Sequence, residues 1–206
     1  MKTATSLSKG EQTRQAILSN AYDLIIRQGY AATSMRQIAE KTGLALGGIY
    51  NHFSSKEDVF RAIIVERHPF FQMLPLLNTV QGDTAELFVR NAAHTLVGEL
   101  GHHPEFLNLM LVEIVEFKAA HVPIILEKLL PMLLPLVEHM GGLEGRLRPI
   151  APFVLARAFL GMFFSYYITE ILLGRGLPPS LRKLNSNAID QFVEIFLHGI
   201  LLEESK

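Results

Sequence analysis

Residues 33–58, TSMRQIAEKTGLALGGIYNHFSSKED, decide how the rest of the chain is read. Two short helical patterns flank a glycine. In the first, Thr33 offers its hydroxyl as an N-cap, Met35, Ile38 and Ala39 form an apolar stripe, and Gly43 ends the pattern. In the second, about Ala45–His52, Ile49 is a core candidate, as is Phe53 just beyond it. A further helix then starts at Ser54-Ser55-Lys56-Glu57-Asp58, where a capping box is available in either register, and runs through Val59, Phe60, Ile63 and Ile64 until Pro69. Helix, glycine turn and short helix make a helix-turn-helix: the second helix enters a DNA major groove about 12 Å wide while the first braces it across the backbone. The residues it would present are Ala45, Leu46, Gly48, Tyr50, Asn51 and His52.

Upstream, residues 1–10 are polar and Ser/Thr-rich and read as a loose arm, in which Lys2 and Lys9 offer an optional phosphate contact. From Glu11 a helical period places Ile17, Ala21, Leu24 and Ile25 on one face and closes on Gly29. Downstream, Phe70-Phe71-Gln72-Met73-Leu74-Pro75 reads as a connector. Helices follow over about 85–100, 105–118, 122–140, 150–173 and 185–203, the third of these interrupted by Pro131 and Pro135. The loop Gly174–Pro179 separates the last two. The expected fold is all-α, with about nine helices.

Composition narrows the class. Of 206 residues 49% are hydrophobic and 19% charged, which supplies a core and excludes global disorder. The absence of cysteine excludes disulfide frameworks, thiolate zinc sites and cysteine nucleophiles. The start shows no apolar signal segment, and the longest charge-free run towards the C-terminus, Ala158–Thr169, has 12 residues where about 20 span a bilayer. A cytoplasmic protein without a membrane partner is the expectation. Residues 1–68 carry nine Lys/Arg and six Asp/Glu, +3, whereas the remainder carries 10 and 14, -4. One part therefore suits a polyanion and the other does not.

At this point the chain resembles the tetracycline repressor (TetR) family of bacterial transcription regulators. The resemblance covers about residues 12–61: the first helix ending in Gly29-Tyr30, then Thr33, Ile38-Ala39, Gly43, Gly47, the run Tyr50-x-His52-Phe53, and Ser55-Lys56-Glu57. It implies an all-α homodimer with a three-helix DNA-binding domain at 11–56 and a larger effector-binding and dimerisation domain at 57–206. Carried over by position, Thr33, Tyr50, His52 and Lys56 resemble phosphate-gripping residues, while Arg36, Gly47 and Asn51 resemble positions near base edges or the adjoining backbone. The family often has Ser or Thr at position 45 and a polar residue at 46; here Ala45 and Leu46 are apolar, and Gly48 adds no side chain. The direct readout left is thymine-methyl contact by Ala45 and Leu46 and guanine recognition by Arg36.

One short helix reads few bases, so two copies on a two-fold operator are expected. In the family the last two helices resemble a four-helix bundle across the dimer axis, which here assigns Val154, Ala158, Ile189, Phe192, Val193, Phe196 and Ile200 to the dimer interface. The alternative is a helix buried on two sides within one subunit. Flexible and aromatic side chains, Phe71, Phe88, Met110, Phe117, Met132, Phe159, Met162, Phe163 and Tyr166, suit a cavity for a lipophilic or aromatic effector. His94, Asn108, Glu113, Glu116, His121 and Tyr167 are polar anchor candidates. Ordinary core packing is the competing reading of the apolar set. The eight histidines are scattered rather than spaced for a metal, no glycine-rich phosphate loop or nucleophile elbow occurs, and no cofactor is expected. The expected function is a ligand-responsive repressor that leaves a palindromic operator when an apolar effector binds. An activator, a small-molecule binder with a vestigial DNA head, and a helical enzyme on a lipophilic substrate are the competing classes; the last lacks a catalytic constellation.

Overall fold

Ser8 opens the first helix, its Oγ accepting from the N–H of Glu11 at 3.2 Å, so that α1 spans Lys9–Gln28 and absorbs the end of the expected arm. The structure, a computed structural model, describes residues 7–68, 70–142, 148–174 and 187–200. All its helices are of α type: α2 (Met35–Thr42), α3 (Leu46–Tyr50), α4 (Lys56–Arg67), α5 (Phe70–Leu77), α6 (Ala85–His102), α7 (Phe106–Val115), α8 (Val122–Gly142), α9 (Pro152–Gly174) and α10 (Ala188–Ile200). The all-α expectation holds. The segment expected as a connector is helical as α5, even with Pro75 inside it, and α8 runs as one helix through Pro131 and Pro135. Lys2, Pro69 and most of the loop from Gly174 to Pro179 lie outside the described residues.

The chain divides into two packing units, one built from residues up to 68 with 105–126, the other from 69–104 with 127–206. In the first, α1 buries Ile17, Leu18, Ala21 and Ile25, α2 buries Ile38 and Ala39, and α4 buries Val59, Phe60, Ile63 and Ile64. Phe106 and Leu109 of α7 join this unit, beyond the 11–56 expected for the head. Each large apolar side chain among them contributes about 1.5–3 kcal/mol when taken from water, so together they outweigh any single cap. The second unit is closed by the buried rings Phe88, Phe159, Phe163 and Phe196. An ion-pair cluster on its surface joins α6 to α10: Arg90 bonds Asp190 at 2.8 Å and also Glu194, and His94 lies 3.0 Å from Asp190.

Candidate nucleic-acid interface

Local chemistry sets the angle between α2 and α3. Ser34 is the N-cap of α2, not Thr33 as expected: the Gln37 N–H donates to Ser34 Oγ at 3.3 Å and the Ser34 N–H donates back to Gln37 Oε1 at 2.8 Å. This reciprocal box satisfies two donors that the helix start would leave bare. Gly43 then ends α2 in the left-handed region (φ 74°), its N–H bonded to the carbonyls of Ala39 and Glu40. A side chain at that φ carries a penalty of about 1–2 kcal/mol, which explains glycine in the turn. α3 has no side-chain cap and only five residues. Burial holds it: Ile49 is fully buried and Phe53 nearly so.

With those anchors inside, one surface collects Arg36, Gln37, Ala45, Leu46, Gly47, Tyr50 and Asn51, all exposed. Leu46 is 45% exposed and Tyr50 51%, so an apolar and an aromatic side chain stand at this surface. No atom lies within 4 Å of a Cβ built on Gly47, so nothing inside the fold requires glycine there. Its cost of about 1 kcal/mol in a helix has no compensating contact within the fold. Gly48 is half-buried, its would-be Cβ at 3.8 Å from the Leu44 side chain.

Three expected phosphate-gripping residues stand differently from Tyr50. Thr33 is 2% exposed and its hydroxyl donates to the Gly29 carbonyl at 2.9 Å, bracing the turn after α1 rather than facing outward. Lys56 is half-buried; its Nζ donates to the Tyr30 carbonyl at 2.8 Å and stands 4.1 Å from the centre of the Tyr30 ring. Burial lowers its pKa below the usual lysine value, and the neighbouring Glu116 partly opposes that. His52 lines a cleft of about 280 Å³ with Arg14, Asp58, Arg61 and Glu66, where Arg14 pairs with Glu66 and Arg61 with Asp58. Sequence reasoning assigned no role to Tyr30, although Gly29-Tyr30 was a visible part of the pattern; its contact with Lys56 is 26 residues distant.

The remaining expected residues separate by unit. Met110 and Phe117 belong to the first, where Phe117 stacks on Phe60 with centroids 4.9 Å apart. Phe71, Phe88, Met132, Phe159, Met162, Phe163 and Tyr166 belong to the second. There Phe88 packs on His139 at 4.7 Å, Phe159 on Phe163 at 4.8 Å, and Tyr166 on Phe192 at 5.2 Å. Of the anchor candidates, Glu113 and His121 bond each other in the first unit. Among the dimer-face residues, Val193, Phe196 and Ile200 are instead buried within the second unit, Phe196 edge-on to Phe159 at 5.6 Å. α10 is apolar on several sides, and α6 and α9 take this one. Val154 and Ala158 are exposed, Ile189 and Phe192 half-buried, and Ile195 and Leu172 stand out further at 62% and 69%. The stretch Pro152–Leu172 is long and apolar enough to cross a membrane by length and composition, with 28% of its apolar window buried; it also contains Arg157 and Glu170.

Residues 17–63 match the family described as bacterial regulatory proteins, tetR family. The HTH-type transcriptional regulator SrpR of Pseudomonas putida is 36% identical over 63 residues, 30% of this chain and 30% of that protein. The chain thus spans about a third of the length of SrpR in that match. Among solved structures, the fatty acid degradation regulator FadR from Bacillus halodurans superposes with TM-score 0.64 at 16% identity, covering 95% of this chain and 98% of that one. A SmeT–triclosan complex superposes with TM-score 0.58 at 22% identity, covering 93% of each chain. Residues 17–63 thus match the tetR family of bacterial regulatory proteins by sequence, and the chain shares its fold with these solved structures.

Proposed function

We propose that the protein is a dimeric, ligand-responsive DNA-binding regulator, a repressor that leaves a palindromic operator when an apolar small molecule binds its second unit. The observation that carries the reading is the exposed row Arg36, Ala45, Leu46, Gly47, Tyr50 and Asn51 above the buried Ile49 and Phe53. A groove-reading helix needs this division: apolar groups below to fix its angle, and above them a surface thin enough to approach base edges. Tyr50 supplies a phosphate contact and Arg36 a bidentate base or phosphate contact. Ala45 and Leu46 read thymine methyl groups. Thr33 acts from behind, bracing the head through Gly29, and Lys56, its ammonium held on the Tyr30 carbonyl and over the Tyr30 ring, supplies a further phosphate contact at the start of α4.

The exposed apolar residues Val154, Ala158, Leu172 and Ile195 form the face at which the second copy packs. Phe88, Phe159, Met162, Phe163 and Tyr166 with Phe71 and Met132 are the side chains from which the effector site is drawn. SrpR is named a transcriptional regulator, and SmeT was solved in complex with triclosan, an example of an aromatic ligand held in a similar fold. Differential affinity for the DNA-binding and released states would supply about 1–3 kcal/mol of coupling.

Selection from a randomised duplex library tests the reading. It should enrich a palindrome with half-sites about 34–36 Å apart, or a multiple of that, carrying thymines opposite Leu46. Apolar compounds extracted from the purified protein should release the duplex. Enrichment of no sequence at low salt would contradict a DNA-reading head; release by no extracted compound would leave a constitutive regulator.

A further inference from the structure

A buried clasp lies in the first unit, away from the row that faces DNA. Glu113 on α7 is 1% exposed and His121, just before α8, is 5% exposed. One Glu113 oxygen accepts the His121 backbone N–H at 2.7 Å, and the other meets His121 Nδ1 at 2.8 Å. The clasp closes a turn in which Lys118 and Ala119 both hold positive φ, 51° and 64°. Non-glycine residues persist in that region only where their surroundings hold them.

What the turn positions is Phe117. Its ring stacks on Phe60 at 4.9 Å, meets His121 at 4.9 Å and stands edge-on to Tyr30 at 5.0 Å. Tyr30 carries the Lys56 ammonium on its carbonyl and over its ring. A second route is shorter: His121 Nε2 lies 4.0 Å from Oε1 of Glu57, the residue after Lys56. Both routes end at the first turn of α4.

We infer that Glu113 and His121 are positioning residues for the DNA grip: by fixing Phe117 against Tyr30 they set where the Lys56 ammonium stands. The inference rests on the DNA-binding reading above for its consequence, but its geometry does not. With the clasp open, the two left-handed residues relax, Phe117 leaves the Tyr30 edge, and the platform under Lys56 loosens. A clasp that served stability alone would leave the surroundings of Lys56 unchanged in the molecules that remain folded.

The test has two readouts on the full chain. In NMR spectra the Lys56 Hε protons, next to an ammonium 4.1 Å from the centre of the Tyr30 ring, should carry an upfield ring-current shift in the wild type. That shift should shrink towards the free-lysine value in Glu113→Gln and His121→Gln. Phe117→Leu keeps the apolar volume and breaks the same link, so it reports where the clasp variants fail to fold. The second readout is duplex affinity against salt. His121→Gln should lower the log–log slope by about one per head, as loss of one phosphate contact does, and should lower it no further in a Lys56→Ala background. Lys56 resonances unmoved in every folded variant would overturn the inference. So would losses from His121→Gln and Lys56→Ala that simply accumulate. If the wild type binds no duplex, the DNA-binding reading fails, and the Lys56 shifts still decide the link.

Discussion

At the scale of the residue, His68 gives the clearest electrostatic handle. It caps the end of α4 with an extended backbone (ψ 128°), as a residue preceding proline prefers, and packs edge-on to Phe106 at 5.2 Å. Burial pushes its pKa down to about 4. The unfolded chain takes up a proton near pH 6.5 and the native state does not until about 4. Between those values the unfolded state holds more protons, so native stability falls as pH falls, by up to about 1.4 kcal/mol per pH unit from this group. Urea midpoints measured from pH 7 to pH 4.5 should decline more steeply for the wild type than for His68→Leu. Equal slopes would show that folding leaves the proton affinity of His68 unchanged. Position 82 is a second sharp point: a Cβ on Gly82 would stand 2.5 Å from the Phe88 amide nitrogen. Gly82→Ala therefore has to move backbone at the start of α6, and thermal unfolding should show a loss of about 1–3 kcal/mol, the range of overpacking.

At the scale of the element, α2 hangs on its cap. With eight residues it is too short to be stable alone, and the Ser34–Gln37 box joins the burial of Ile38 and Ala39 in holding it. Ser34→Ala should lower stability by about 1 kcal/mol in chemical denaturation. Thr33→Ser, which keeps a hydroxyl for the Gly29 carbonyl, should change it far less; the reverse order would restore Thr33 as the cap. Elements of this kind are legible in a sequence because their signals are local: a glycine at a left-handed turn, a serine three residues before a glutamine, an isoleucine every turn. Thr33 and Ser34 both fit the cap, and only the direction of the Thr33 hydroxyl, back to Gly29, separates them. α5 is hidden in the sequence because Phe70–Leu77 has no capping residue and holds Pro75. The faces of α10 were unreadable for another reason: Val193, Phe196 and Ile195 are equally apolar, and which of them turns inward is decided by α6 and α9, about a hundred residues and about thirty residues away. The Lys56–Tyr30 contact and the placement of Phe117 beside the head are long-range in the same sense.

At the scale of the whole molecule, reading a two-fold operator takes two copies of the chain. Val154 and Ile195 are apolar and more than half exposed in the second unit. A carboxylate placed there keeps much of its hydration in the single chain but would be desolvated between two. Ile195→Glu should therefore shift the sedimentation profile from dimer to monomer while leaving the circular dichroism of the helices intact. An unchanged dimer would place the contact elsewhere. Operator affinity should fall with dimer loss, because each head alone reads one half-site.

The most direct measurement of the central claim is fluorescence anisotropy of a selected operator duplex titrated with the wild type, Tyr50→Ala, Arg36→Ala and, as a control away from the head, His102→Ala. The two head variants should bind more weakly, by about 1–3 kcal/mol where a base contact is lost, and His102→Ala should keep wild-type affinity. Equal affinity for all four proteins, at every salt concentration tried, would show that the surface bearing Tyr50 and Arg36 does not lie on DNA.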